Sequence, residues 1–324
     1  MRADSPPRHD PLAGLRAEAE SALRGLLAAR PATAPLATAP MTPVLGGLSN
    51  LGWRVECDAR SHFVRLAQPA TERLGADHHA ECRVLGFACA AGIAPPVLCC
   101  DPESRLLVTE WVGVPDPEGS TPRAAALDAV ARTLAALHGI DVPADLRRVD
   151  FREQALELEA SLSPAGACTD LRDVAMQVFD VLRGSLARRV LCHHDLNPLN
   201  LVFDCNRRLW LVDWEYAGLG DPAFDLASYA SQHGLDARQR ARLAATYVAA
   251  GGLAVAAGRL ERAAWAFDYV QWLWYRAALQ ARDSLADRAL VAGRERRLAA
   301  SLRGRASRVL RCNNEPFAGN ETRV

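Results

Sequence analysis

RRVLCHHDLNPLNLVFDCNRRLWLVDWEYAGLGDPAFDLASY, residues 188–229, is the stretch around which the remainder of the chain is arranged. It contains three apolar runs of strand length, at residues 190–192, 199–203 and 209–212. Polar residues, including His193 and Asp195, follow the first run, and Asp213 follows the third. A strand held by packing fixes the loop at its end, while that loop still reaches solvent. The pattern therefore predicts a functional site at the ends of these strands.

The spacing of these polar residues indicates one type of chemistry. His193, Asp195 and Asn200 follow H-x-D-x-x-x-x-N, the spacing of a kinase catalytic loop, and Asp213 stands where a metal-binding aspartate would fall. Magnesium prefers hard oxygen ligands, so Asn200 and Asp213 are the candidate ligands for Mg²⁺. We expect Asp195 to accept the proton of an attacking hydroxyl and His193 to brace the loop.

Three sequence blocks resemble a known family: HHDLNPLN at 193–200, LVDWEYAG at 211–218 and GDPAFDLA at 220–227. They are similar to the choline kinase and thiamine kinase branch of the aminoglycoside phosphotransferase superfamily. Protein kinases would instead carry Asp-Phe-Gly in the second block and Ala-Pro-Glu after a long activation segment. The resemblance implies an α+β, protein-kinase-like fold with two lobes, a small antiparallel β-sheet lobe with one main helix and a larger, mostly helical lobe. It also implies that Asp225 has a structural role beneath the catalytic loop.

The smaller lobe is expected to bind ATP. Residues 44–55, VLGGLSNLGWRV, are typical of two strands joined by a glycine turn. Glycines let backbone N–H groups approach phosphate oxygens closely. The residues predicted to contact the nucleotide are therefore those of the turn and those of the connector to the second lobe: Gly46, Gly47, Ser49, Asn50, Glu110 and Val112.

The chain contains no lysine, so a side chain that binds the nucleotide phosphates has to be an arginine. Arg65 lies in the third predicted strand, which carries the phosphate-binding cation in kinase-like folds. Glu81 lies on the helix predicted over residues 77–91, and we expect it to pair with Arg65 as the helix glutamate of kinases pairs with its cation. A surface arginine and a solvated glutamate are the alternatives.

A late segment, ERAAWAFDYVQWLWYRAALQ at residues 261–280, is predicted to help bind the acceptor. On a helix, Trp265, Asp268, Trp272 and Tyr275 would lie near one face. Aromatic faces stabilise a quaternary or ring cation by roughly 0.5–2 kcal/mol per contact, and the carboxylate of Asp268 would add Coulombic attraction. Packing of these aromatic residues in the core is the alternative.

The acceptor is expected to be a small cationic alcohol. Glu215 would attract its charge, and the resemblance to choline kinases implies that Tyr216 contributes to the pocket. The choice between choline, ethanolamine and thiamine stays open. An aminoglycoside or macrolide phosphotransferase is the alternative enzyme, and a pseudokinase that only binds is the alternative from another class.

Composition limits the partners of the chain. The 324 residues contain 38 basic and 38 acidic side chains, so no overall field attracts nucleic acid or an anionic membrane. No run reaches 18 apolar residues, which excludes membrane insertion by a helix. The nine cysteines form no C-x-x-C pair, and we expect them to be reduced thiols of a cytoplasmic protein. A homodimer stays open.

The chain is expected to divide into four segments. Residues 1–40 read as an extension with one helix and a Pro/Ala linker, residues 41–112 as the nucleotide-binding lobe and residues 113–303 as the catalytic lobe. Residues 304–324 are predicted to be a loose tail. His138, at the end of a predicted helix over 124–138, is expected to cap that helix as a cation.

Overall fold

The structure is a computed structural model that describes residues 13–45, 50–115, 124–162, 169–186, 188–280 and 288–311. The amino-terminal lobe is an antiparallel sheet with the spatial order β1-β2-β3-β5-β4. Arg65 lies on the central strand β3, opposite Gly52 of β2 and Leu107 of β5, so the sheet holds its backbone from both sides. The five strands are Met41–Val44 (β1), Asn50–Cys57 (β2), Arg60–Ala67 (β3), Val97–Asp101 (β4) and Leu106–Glu110 (β5).

The helix Ala13–Ala28 (α1) is part of this lobe. Its Leu23 and Leu27 are fully buried in one cluster with Trp53 and Val55 of β2. Burial of one leucine side chain stabilises a fold by roughly 1.5–3 kcal/mol. The described part of the predicted extension is therefore not a separate segment, because its apolar face completes the core of the sheet.

After β3 comes a short helix, Ala70–Arg73 (α2), and then a longer helix, His78–Ala90 (α3), which packs against β4. The side chain of Asp77 caps α3 by accepting from the backbone N–H of Ala80 at 2.9 Å. A disulfide joins Cys82 of α3 to Cys100 of β4. The prediction that all cysteines are reduced is therefore wrong for this pair, which the docking of α3 on the sheet brings together. Disulfides are rare in reducing compartments, so this bond argues against the predicted cytoplasmic location.

The second lobe is mostly helical, with two small antiparallel sheets beside the cleft. One sheet has the order β6-β8-β9, and the other pairs β7 with β10. The strands are Val114–Pro115 (β6), Val190–Cys192 (β7), Leu201–Phe203 (β8), Leu209–Leu211 (β9) and Gly218–Gly220 (β10). The helices are Ala124–His138 (α4), Phe151–Ser161 (α5), Thr169–Gly184 (α6), Pro222–Gln232 (α7), Ala237–Ala249 (α8), Ala257–Gln280 (α9) and Arg288–Arg311 (α10).

The last helix is longer than the sequence indicated. α10 continues to Arg311, whereas residues from 304 onward were predicted to form a loose tail. Val291, Leu302 and Val309 are buried along it, and α10 packs against α9 and α6. Burial of Val309 explains why the helix extends beyond residue 303.

The predicted fold class is confirmed: an antiparallel sheet lobe joins a larger helical lobe. Among its described residues the sheet lobe has two long helices, α1 and α3, where one main helix was predicted. Within the described ranges, none of the helices combines the length and the apolar character needed to cross a membrane.

Candidate active site

A cleft of about 900 Å³ lies between the two lobes. Residues of strand β3 in the small lobe line one side of the cleft, and the loops after β7 and β9 line the other side. Four side chains, one from β3 and three from the stretch at residues 188–229, line this cleft: Arg65, Asp195, Asn200 and Asp213. The structure thus brings the predicted phosphate-binding, metal-binding and proton-accepting groups into one space.

Arg65 makes a two-pronged ion pair with Glu81. One guanidinium nitrogen donates to Oε1 of Glu81 at 2.8 Å, and the other donates to Oε2 at 2.5 Å. The first nitrogen also donates to Oδ1 of Asp213 at 2.7 Å. Burial, the largest single cause, raises the pKa of Glu81, but the charge of Arg65 and the hydrogen bonds from His78 and Arg65 together bring the pKa below its usual value. Glu81 therefore stays ionised and fixes the direction of Arg65.

A second contact joins the lobes beside this pair. Asn50, at the start of β2, donates from its side-chain amide to Oε2 of Glu215 at 3.0 Å. Burial, followed by the charge of Asp213, raises the pKa of Glu215 well above its usual value. Arg65 lies 3.9 Å from the same carboxylate oxygen. Glu215, predicted to bind the acceptor, thus lines the cleft but contacts the small lobe.

The loop after β7 holds Asp195 by two amide groups. Its Oδ2 accepts from the side chains of Asn197 at 3.0 Å and Asn200 at 2.9 Å. Burial raises the pKa of Asp195 to about 7, and the nearby charge of Asp213 acts in the same direction. A carboxylate with a raised pKa is a stronger base than an ordinary aspartate, which suits it to accept a proton from a hydroxyl near neutral pH.

His193 lies behind the loop and does not line the cleft. Its Nε2 donates to the carbonyl of Val212 at 3.0 Å, and its Nδ1 accepts from the backbone N–H of Asp195 at 3.3 Å. One ring nitrogen donates and the other accepts, so the ring is neutral. Burial lowers the pKa of His193 and favours the same state. His193 thus ties the loop of Asp195 to the strand end that carries Asp213.

Asp225 fixes the backbone of the same loop from below. Its carboxylate accepts from the backbone N–H groups of His193 at 2.8 Å and His194 at 2.7 Å. His138 contacts the same carboxylate at 3.0 Å through Nε2 and the hydroxyl of Tyr247 at 2.8 Å through Nδ1. Burial would raise the pKa of Asp225, but its hydrogen bonds and neighbouring charges, those of His138 first, lower it to about 2.

His138 is therefore not the helix cap that the sequence suggested. It is buried, and it points into the lobe towards Asp225 and Tyr247 because the end of α4 packs beneath the catalytic loop. The three side chains form a polar group that holds the loop in place.

Asn200 and Asp213 project from neighbouring strand ends. β8 pairs with β9 through Leu201 and Leu211, and the backbone N–H of Val212 donates to the carbonyl of Asn200 at 3.1 Å. The side-chain nitrogen of Asn200 is bound to Asp195, which leaves its oxygen to face a ligand. One amide oxygen and one carboxylate in this position fit the ligand preferences of Mg²⁺.

Three of the six residues predicted to contact the nucleotide from the turn and the connector line the cleft. Asn50, Glu110 and Val112 line it, with the aromatic rings of Phe63 and Trp111 nearby. Gly46, Gly47 and Ser49 lie outside the described residues, so the predicted glycine turn is untested.

The predicted acceptor residues divide into two groups. Tyr216, Asp268 and Tyr275 line the cleft. Trp272 does not, because its indole nitrogen donates to Glu295 of α10 at 2.7 Å and the guanidinium of Arg276 covers its ring at 4.6 Å. The prediction for Trp272 is therefore wrong.

The predicted face of α9 is rotated relative to the face that enters the cleft, so only two of its four residues, Asp268 and Tyr275, line the cleft. Phe267, Gln271 and Trp274 of α9 line the cleft with i, i+4, i+7 spacing. Trp265 points away, with its indole nitrogen donating to the carbonyl of Leu302 at 3.1 Å. Sequence reasoning also missed cleft residues outside α9, and the arginine-rich sequence of α10 was the available signal for some of them. Examples are Arg147, Phe151, Arg294 and Arg297.

Comparisons with known proteins agree with this geometry. The sequence profile of the phosphotransferase enzyme family matches residues 40–267. Protein LicA of Haemophilus influenzae is 33% identical over 81 residues, which are 24% of this chain and 23% of LicA. This match spans only about a quarter of the length of the curated relatives.

Two solved structures are similar over nearly the whole chain. A choline/ethanolamine kinase family protein from Mesorhizobium loti is 26% identical with a TM-score of 0.70, covering 90% of this chain and 99% of that protein. Choline kinase LicA from Streptococcus pneumoniae is 18% identical with a TM-score of 0.73, covering 89% and 99%. The family match includes both lobes and the catalytic loop, so the predicted resemblance is confirmed, and the chain belongs to the phosphotransferase enzyme family.

Proposed function

We propose that the chain is a small-molecule kinase that transfers the γ-phosphoryl group of ATP, with Mg²⁺, to the hydroxyl of a small cationic alcohol. The observation that carries this proposal is the convergence of Arg65, Asp195, Asn200 and Asp213 on one cleft. A loose transition state asks little covalent chemistry of the protein, so positioning and charge neutralisation supply most of the rate.

Each of these side chains has a separate role in the proposal. Asp195 aligns the acceptor hydroxyl and takes its proton, and Arg65, held by Glu81, binds the phosphates. Asn200 and Asp213 would hold Mg²⁺, which supplies positive charge to the phosphate oxygens when it is bound. His193 and Asp225 keep the catalytic loop in the shape that this requires.

The residues at the acceptor end of the cleft support an alcohol that carries a cationic group or a group that packs on aromatic rings. Phe267, Trp274 and Tyr275 line it together with Tyr216, whose hydroxyl lies 3.3 Å from the indole nitrogen of Trp274. Aromatic faces of this kind attract cations. Choline, ethanolamine and thiamine are the acceptors proposed, and an aminoglycoside or macrolide is the second candidate class.

The test is ADP release by the purified chain with choline, ethanolamine, thiamine, kanamycin and a macrolide as acceptors. We expect ADP release to need both Mg²⁺ and one of the three small alcohols. A pseudokinase would release no ADP with any acceptor. Release with only kanamycin or the macrolide would replace the proposed acceptor class by an antibiotic.

A further inference from the structure

One face of α10 enters the acceptor end of the cleft. Arg294, Arg297, Leu298 and Ser301 line the cleft and have the i, i+3, i+4, i+7 spacing of a single helical face. Three of these four side chains are hydrogen-bond donors. This face therefore presents two guanidinium groups and a hydroxyl to the space in which the acceptor would bind.

The positive charge of this face is not neutralised by the described parts of the chain. No carboxylate of the described residues lies within 4.0 Å of the guanidinium groups of Arg294 or Arg297. Arg294 instead acts on the hydroxyl of Tyr275, where its charge and hydrogen bond lower the pKa that burial raises. Arg305, further along α10, is different because it pairs with Asp268.

Acidic residues at this end are already engaged. Asp268 accepts from Ser231 with one carboxylate oxygen and pairs with Arg305 through the other. Glu215 accepts from Asn50 and lies beside Arg65. A purely cationic acceptor would therefore meet two unneutralised arginines, while Asp268 and Glu215 already have partners.

We propose that the acceptor carries an anionic group, a carboxylate or a phosphate, which binds to Arg294, Arg297 and Ser301. The inference rests on the proposed function for the position of the reacting hydroxyl at Asp195. Guanidinium groups match the geometry of carboxylates and phosphates, and a charge-assisted hydrogen bond is stronger than a neutral one. Combined with the aromatic walls, this narrows the cationic alcohol of the proposed function to a zwitterionic one, so choline and ethanolamine would be weaker acceptors than analogues that carry an anionic group.

Matched pairs of acceptors test the inference because each pair differs by the anionic group. Serine differs from ethanolamine by a carboxylate. Carnitine differs from choline by a carboxymethyl group, which also makes its hydroxyl secondary, and glycerophosphocholine supplies a phosphodiester. We expect the anionic member of at least one pair to have the lower KM. The carboxylate and phosphate arms identify which anion is bound.

Substitutions on α10 provide the second arm. In Arg294→Gln and Arg297→Gln, the KM for the anionic acceptor should rise by about 10-fold or more relative to its partner without an anionic group, the value of one lost charge-assisted hydrogen bond. Arg296→Gln is the matched control, since Arg296 is exposed on the same helix but does not line the cleft. Arg297→Lys should retain part of the affinity because it keeps the charge.

Calorimetric binding separates this inference from the proposed function. Serine and ethanolamine, carnitine and choline, and glycerophosphocholine are titrated into Asp195→Asn alone and into Asp195→Asn with each α10 substitution, so no turnover is needed. The inference is supported if the anionic member of a pair binds more tightly and if Arg294→Gln and Arg297→Gln abolish that difference. This holds even if the wild-type chain releases no ADP with any acceptor. Equal binding of both members of each pair, or an equal loss in Arg296→Gln, overturns it, even if the chain phosphorylates choline.

Discussion

At the Arg65 end of the cleft the chain neutralises its own buried charges, whereas at the α10 end it leaves two arginines facing the cleft. Arg65 contacts carboxylates from α3 and from the loop after β9, and Asp195 is held by two amide groups. Arg294 and Arg297 have no carboxylate of the described residues within ion-pair distance.

The difference separates preorganisation from recognition. Charged groups that are fixed before the substrate arrives lose little free energy by reorganising during the reaction. Unneutralised arginines in a cleft instead leave their strongest interactions to an incoming ligand. The Arg65 end is thus rigid and preorganised, and the α10 end is suited to bind a ligand.

The largest effect should come from Asp225, which supports the rigid end. Asp225→Ala leaves two backbone N–H groups and His138 without their buried acceptor, so we expect a loss of about 3–5 kcal/mol in the free energy of unfolding and loss of turnover. Urea unfolding and ADP release measure the two effects.

Asp236→Ala is the control for Asp225→Ala. Asp236 also accepts from a backbone N–H, that of Gln239 at 2.8 Å, but at the exposed start of α8. Loss of such a cap costs about 1 kcal/mol. Full turnover in Asp225→Ala would mean that the loop does not depend on this brace.

Glu81→Gln should have the next largest effect. It removes one charge from the buried pair with Arg65, so we expect a loss of about 2–3 kcal/mol in stability and a weaker affinity for nucleotide. The control is Glu56→Gln, whose exposed pair with Arg54 at 2.8 Å should contribute less than about 1 kcal/mol. Calorimetry measures nucleotide binding by both variants. If both bound ATP like the wild type, this would contradict a role of Glu81 in orienting Arg65.

The smallest effect concerns pH. Burial lowers the pKa of His233 to about 4, and its Nε2 donates to the carbonyl of Leu196 at 3.2 Å. The unfolded chain has the higher pKa, about 6.5, so it binds the proton first and stability is lost as the pH falls from about 6.5 to about 4.

His233→Gln should flatten this pH dependence by roughly 1–3 kcal/mol, measured as the free energy of unfolding at several pH values. His79→Gln is the control, because the side chain of His79 is 69% exposed. If His79→Gln flattened the curve as much as His233→Gln, the pH dependence would not come from burial.

The rigid end was largely predictable from the sequence because its residues are close in the chain. Asp195, Asn200 and Asp213 lie in a stretch where short apolar runs set the strands and the spacing sets the loops. Arg65 and Glu81 followed from their places on a strand and on the next helix. His138 did not, because its contact with Asp225 joins residues 87 positions apart.

The α10 end was not predictable in the same way. The rotation of α9 depends on its packing against α10, which turns Trp265 and Trp272 away from the cleft and Trp274 into it. A row of aromatic residues on both sides of a helix gives no preferred face. The disulfide between Cys82 and Cys100 depends in the same way on the docking of α3 against the sheet.

The most direct test of the proposed chemistry is the pair of measurements on Asp195→Asn, kcat for ADP release and the Kd for ATP. We expect kcat to fall by about 100- to 10,000-fold, because the base is lost, while the Kd for ATP stays close to that of the wild type. A variant that keeps wild-type turnover would show that Asp195 is not the group that accepts the proton.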